Sequence, residues 1–294
     1  GISSRKGLNE INPPPKRSAN DAPVNVDETD PGKNWSYTAE NYDWCSGEGT
    51  WENPYVIEDL RIDAEGGSIG ILIEHSEVYF RIENCSVMNV ITSNEKANIK
   101  LFNTSNGIIR NNTVSGSDNG IYLYYYCNNN TISDNEVTGA YDAAIKIWTN
   151  SSYNRVIDNY LYDNEYCGID FHEYCDNNTV RGNLIEELLS ANRGIRLNSY
   201  CDFNNFTSNT LVGEFVEIVS TCSQNRFIQN NFSSHTMGID ITDDSPDTFW
   251  DNGSIGNYWN NYPYDDDNDD GIGDTPYAMG GSGGNYDNYP IWND

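Results

Sequence analysis

What this chain has least of is positive charge. Its 294 residues carry 16 Lys and Arg against 45 Asp and Glu, a formal net charge of −29. So acidic a surface repels nucleic acid and anionic lipid, and it favours cations and neutral or basic partners. Histidine and methionine are scarce too, three of each, which leaves little material for a soft-metal centre built on imidazole and thioether. No run approaches the roughly 18 apolar residues of a membrane span, so none is expected in this chain. Hydrophobic residues make up 37%, below the usual globular share, but aromatics reach 13%, which sets the sequence apart from a disordered one.

What is abundant is repetition. The phrase GIYLYYYCNNNTISDN at 120–135 returns as GIDFHEYCDNNTVRGN at 168–183 and as GIRLNSYCDFNNFTSN at 194–209. Taking the apolar residue after each glycine-like start as anchor gives Ile71, Ile99, Ile121, Ile145, Ile169, Ile195, Val216 and Ile239, in steps of 28, 22, 24, 24, 26, 21 and 23. Two residues on lies a second apolar position, Ile73 through Ile241; eleven on come Ile132, Val156, Val180, Phe206 and Phe227; sixteen on come Val137, Leu161, Ile185, Leu211 and Phe232. A period in the low twenties holds two or three short alternating strands and no helix. The chain therefore reads as all-β, a right-handed parallel β-helix of about eight or more coils, each stacked about 4.8 Å from the last.

Two asparagine columns support this. Asn130, Asn154, Asn178, Asn204 and Asn225 lie nine residues past their anchors, and Asn135, Asn159, Asn183, Asn209 and Asn230 fourteen past. Where a coil turns inside the stack, backbone groups need partners, and an amide side chain can supply them and also bond the next coil. A third column, six past, alternates Ser and Cys: Ser105, Cys127, Ser151, Cys175, Cys201, Cys222 and Ser245. Small residues fit a tight inward turn. A thiolate ladder for copper is the sharper reading, but no His or Met column accompanies it.

The ends differ from the middle. Residues 1–44 have no period, contain Pro13, Pro14, Pro15, Pro23 and Pro31, and read as an extended arm. With Lys6, Lys16 and Arg17 on it, the arm could lie along an acidic neighbouring subunit and join copies head-to-tail into a homopolymer. Residues 45–256 hold the coils and 257–294 an aromatic, acidic C-terminal cap. In that cap Asp266, Asn268, Asp270, the Ile272 carbonyl and Asp274 occupy positions 1, 3, 5, 7 and 9 of a calcium loop, with Gly271 at 6. Position 12 is Tyr277 rather than Glu, so a shorter loop than a full EF-hand is expected, with calcium as a structural cofactor. The sequons at Asn34, Asn103, Asn111, Asn129, Asn150, Asn177, Asn205, Asn231 and Asn252 are candidates for N-glycosylation; the one at Asn84, beside a core Cys85, is a poor one.

A chemical face is sought one and three residues past the anchors. One past run Lys100, Tyr122, Lys146, Asp170, Arg196, Glu217 and Asp240, and three past run Phe102, Tyr124, Trp148 and His172. Both columns are expected to face water. Phe102, Tyr124 and Trp148 would form a stripe on which sugar rings can stack. Asp170, His172, Glu217 and Asp240 are the candidate acid–base residues, and Asp170 with Glu217, two coils apart, would approach the carboxylate separation of inverting glycosidases.

The GI-x-L repeats with their N-N-T phrases, the opening phrase GTWENPYVIEDLRID at 49–63 and the closing phrase FWDNGSIGNYWNNYPYDDDNDDGIGDTPY at 249–277 together resemble the NosD-like parallel β-helix family. That resemblance covers residues 45–294. It implies the fold and an exported location, extracellular, at the cell surface or periplasmic. It also brings a copper-delivery role, for which the His and Met ligands are missing here. Two functional classes follow. The first, which arm, sequons and calcium loop favour, is a non-catalytic surface protein, glycosylated and self-assembling. The second is a polysaccharide-binding or polysaccharide-cleaving β-helix.

Overall fold

A computed structural model describes residues 22–292 except 94, 187–192, 214 and 234–239. Its strands run in parallel register around a three-sided coil. On the first face Ile71 pairs with Ile99, then Ile121, Ile145, Ile169, Ile195 and Val216 follow in one column. The second face stacks Ile132, Val156, Val180, Phe206 and Phe227. The third stacks Val137, Leu161, Ile185, Leu211 and Phe232. These apolar columns are buried and fill the bore of the coil; each such side chain withdrawn from water stabilises the fold by about 1.5–3 kcal/mol. The glycine of each GI phrase stands at the corner between third and first faces. A Cβ at Gly168 would sit 2.6 Å from Ile185 Cγ2 and 2.7 Å from the Gly194 carbonyl, so the corner closes only without a side chain.

Both asparagine columns are buried ladders. The Asn135 N–H and its Nδ2 both donate to Asn159 Oδ1 at 3.0 Å, while Asn159 Nδ2 donates to the Ile132 carbonyl and its own N–H donates to Asn183 Oδ1. The second ladder starts a coil earlier than the sequence columns, at Asn112, and runs on to Asn257. There the N–H of Asn257 donates to a carboxylate, Asp287 Oδ2, at 2.7 Å. In the small-residue column Thr104, not Ser105, faces inward: the turn after Phe102 is one residue shorter, and Thr104 Oγ1 accepts from the Ser76 N–H. All seven cysteines are buried and outside any disulfide. Burial pushes the thiols of Cys45 and Cys127 up to about 12, so they stay protonated.

Two further sequence expectations are revised. Residues 22–44 are not an extended arm, because Val24–Asp27 adds a parallel strand ahead of Ile69–Glu74, with Val24 opposite Ile71. The helix Trp35–Asn41, capped by Asn34, then drops Trp35 over the bore, where it stacks on Tyr55 at 5.2 Å and donates to Ser76 Oγ. Residues 1–21, with Lys6, Lys16, Arg17 and the triple proline, lie outside the described residues. At the other end Phe206, Phe227 and Trp250 stack, as do Phe232, Trp259 and Tyr277. Both ends of the bore are thus plugged. In the last coil Ile241, not Ile239, lies opposite Val216. The two-residue shift pairs Asp240 with Phe215, puts Thr242 beside Glu217, and turns Asp243 inward opposite Ile218. There Asp243 accepts from Trp250 Nε1, Thr248 Oγ1 and Asn285 Nδ2.

Candidate functional site

The outer surface of the first face is not open to water at its centre. Tyr122, Lys146 and Asp170 are all buried, although alternation alone would expose them. The cover comes from the corner that leads into this face. Strands Thr113–Tyr124 and Glu136–Trp148 bend through it without a break, using Gly116 and Gly139 at positive φ. Ser117 pairs with Ala140 but Asn119 with Ala143, so Tyr141 and Asp142 oppose Asp118 alone. Such a bulge lifts the extra residue off the sheet. Together with Glu165 and Tyr166 from the next coil, and Glu95 from the previous one, these residues wall a groove of about 430 Å³ beside Lys146 and Trp148.

The floor is aromatic and cationic. Phe102, Tyr124, Trp148 and His172 follow one another at ring separations of 5.6, 6.1 and 5.0 Å, so the stripe expected from sequence is continuous. Lys146 Nζ lies 4.4 Å from the Trp148 ring and pairs with Asp142. Lys100 Nζ lies 4.8 Å from the Tyr122 ring. Burial pushes the Asp170 carboxyl up to about 6, against the opposing pull of Arg196 and Lys146. Burial likewise lowers His172, which keeps its imidazole neutral near pH 7, and raises Asp118, helped by the charge of Asp142. Among the described residues, four of the five buried side-chain polar atoms without a hydrogen bond cluster here: Tyr122 Oη, Trp148 Nε1, Asp170 Oδ1 and His172 Nδ1. Arg196 Nη1 stands 3.8 Å from Asp170 Oδ1, an electrostatic contact too long for a hydrogen bond. Native interiors leave few such groups, and a cluster of them on three adjoining strands marks a place built for something else.

Other candidates fall elsewhere. Glu217 is clamped by Arg193 Nε at 2.5 Å and Arg196 Nε at 3.0 Å. Arg196 stands between it and Asp170, so the two carboxylates do not face one another across a free gap. Asp240 has left the column, and its side chain lies outside the described residues. Tyr141, Asp142, Asp118, Glu95, Glu165 and Tyr166 escaped the sequence reading because they sit at the corner between repeat positions, where no column marks them. The only trace was a variable coil length.

In the C-terminal loop Asp266 accepts from the N–H groups of Asp270 and Gly271, Asn268 from that of Asp270, and Asp270 from that of Ile272. Asp274 accepts from Asp267 N–H. These are the turns that draw alternate side chains inward, but among the described residues no three His, Cys, Asp or Glu side chains converge as a metal cage. Of the sequon asparagines, Asn103, Asn111, Asn129, Asn177, Asn231 and Asn252 are exposed. Asn34 Oδ1 is occupied as a helix cap, Asn150 and Asn205 are half-buried.

A family model described as a right handed beta helix region matches residues 69–257. The chain belongs to this right-handed β-helix family. No curated protein matches the chain in sequence. Among solved structures, a mutant of the periplasmic alginate epimerase AlgG superposes with a TM-score of 0.55 at 19% identity, covering 67% of this chain and 49% of the epimerase. A mutant of DFA-IIIase from Arthrobacter chlorophenolicus, in complex with DFA-III, aligns with a TM-score of 0.41 at 11% identity, covering 67% of this chain and 52% of that one. This member of the β-helix family thus spans about half the length of each. Among its described residues no helix is long and apolar enough to cross a membrane.

Proposed function

We propose that this β-helix protein binds a polysaccharide along the Phe102–His172 stripe and modifies it at the Trp148 groove. The observation that carries this is the set of buried polar atoms that make no hydrogen bond, Tyr122 Oη, Trp148 Nε1, Asp170 Oδ1 and His172 Nδ1, gathered beside a half-exposed aromatic floor. Aromatic faces with a few convergent polar groups are what sugar rings and their hydroxyls need. The epimerase named above, itself a polysaccharide-acting protein, supports the same reading over a purely structural one.

The chemistry available is proton transfer. His172, neutral at pH 7, is fit to accept a proton, and Asp170, titrating near 6, is fit to hold or release one close to neutrality. Arg196 and Lys146 flank Asp170 on the neighbouring coils and can steady negative charge that develops between them. An exported location accords with this role, since the substrate would lie outside the cell.

The test is a screen of oligosaccharides for binding and for altered products, on the wild type, Trp148→Ala and Asp170→Asn with His172→Gln. Trp148→Ala is expected to lose affinity. The double variant is expected to keep binding within about threefold while turnover falls by about 10²-fold or more. A wild type that neither binds nor alters any glycan would refute the proposal.

A further inference from the structure

The walls of the groove carry charge of one sign. Glu95, Asp118, Asp142 and Glu165 line it with a single cation, Lys146, and Asp142 already pairs with that ammonium. Three carboxylates are therefore left with no further cation among the residues that line the cavity, in a chain whose net charge is −29. A carboxylated sugar would bring like charge into this space, whereas a protonated amine would bring the missing counter-charge. Asp118 sits above the usual carboxylate range because of burial and the neighbouring Asp142, a sign that negative charge is already crowded.

The rings point the same way. Trp148 carries the Lys146 ammonium on its face at 4.4 Å, and Tyr166 carries the Arg193 guanidinium at 4.6 Å, so these walls already hold cations by their π faces. Tyr141, at the rim, is 59% exposed and offers one more. Carboxylates interleaved with aromatic faces are the surroundings an ammonium prefers. We infer that the groove selects a sugar chain bearing free amines over a carboxylated one. The inference rests on the glycan reading above and narrows its substrate class. It sets this groove apart from what the name of the alginate epimerase would lead one to expect.

The experiment is calorimetric titration of the intact chain with three oligosaccharides of equal length: a free-amine glucosamine oligomer, its N-acetylated counterpart and an oligo-uronate. Because an acidic protein attracts any polycation, two charge-matched variants accompany the wild type: Glu95→Gln with Glu165→Gln in the groove, and Glu52→Gln with Glu58→Gln at exposed positions on the N-terminal coil. At low salt the free-amine oligomer is expected to bind about tenfold more tightly than the neutral one, and the uronate not at all. The groove pair should lose about that tenfold for the amine and stay within twofold for the neutral oligomer, while the distant pair changes neither. Tightest binding of the uronate, or equal losses from both variant pairs, overturns the amine preference and leaves the glycan reading standing. Failure of all three oligomers to bind overturns the amine preference, and the broader oligosaccharide screen then decides the glycan reading.

Discussion

Removing one rung from the longer asparagine ladder should cost far more than its single side chain suggests. In Asn159→Ala the Asn159 N–H keeps its acceptor, Asn183 Oδ1, but four other groups lose a partner. The Asn135 N–H and one Nδ2 hydrogen of Asn135 no longer find Asn159 Oδ1, and the Ile132 and Ile157 carbonyls lose the Nδ2 donor. All lie where water does not reach, and each orphaned buried group costs about 1–3 kcal/mol. Counting the Asn135 N–H fully and the other three at the low end gives a loss of about 4–6 kcal/mol. At about 2–4 °C per kcal/mol for a chain of this size, the melting temperature should fall by about 10 °C. A stacked array can unfold in parts, so hydrogen exchange gives the sharper assay: the Asn135 and Asn112 amides should lose protection while those of the first coils keep it. Asn231→Ala, at an exposed strand position next to Asn230 of the same ladder, is the control and should change stability by less than about 0.5 kcal/mol. An Asn159→Ala protein that melts within 2 °C of wild type, with Asn135 still protected, would show that the ladder does not satisfy these groups as argued.

Burial holds the Asp287 carboxyl at about 6 rather than 3.8, so the fold binds that proton more tightly than the unfolded chain does. Its ionised form therefore weakens the C-terminal cap above pH 6, by at most about 3 kcal/mol, and the penalty fades as pH falls from 6 toward 3.8. Asp287→Asn should flatten stability over that window, and stability–pH curves that stay parallel would contradict it. Phe102 stands two coils from Trp148 on the stripe, so Phe102→Ala should weaken long oligosaccharides by about tenfold and spare di- and trisaccharides; equal losses at every length would place the chain's path elsewhere. Calcium in hundredfold excess over its dissociation constant should add about 2.7 kcal/mol to stability through the 266–274 loop, and Asp270→Ala should remove that gain; a wild-type melting curve indifferent to calcium and chelator would exclude the loop as a cation site.

The stack was legible in the sequence because burial repeats it. Ile121, Ile132 and Val137 recur at fixed offsets since each must fill the same space one coil on, and Asn130 and Asn135 recur because each coil raises the same backbone problem. Trp148, Asp170 and His172 could be placed on one face by counting from the anchor. Their burial could not, because it depends on Tyr141, Asp142 and Tyr166, which lie at a corner whose length varies from coil to coil and whose contacts are long-range. The N-terminal strand was missed for a related reason: Val24–Asp27 adds to the stack across 47 residues of intervening chain, from Val24 to Ile71, and four residues carry no period of their own.

The longer ladder runs in one direction only. Each coil offers an N–H to the oxygen of the coil that follows, so at every stage of synthesis the newest coil is the one left wanting an acceptor. The chain can therefore assemble vectorially as it is made, every finished turn satisfied by its successor, until Asp287 meets Asn257 and nothing further is asked for. A message that gained or lost one whole turn in the middle would still end on the same full stop. Length is thus free to drift in units of a turn, while both plugs stay as they are.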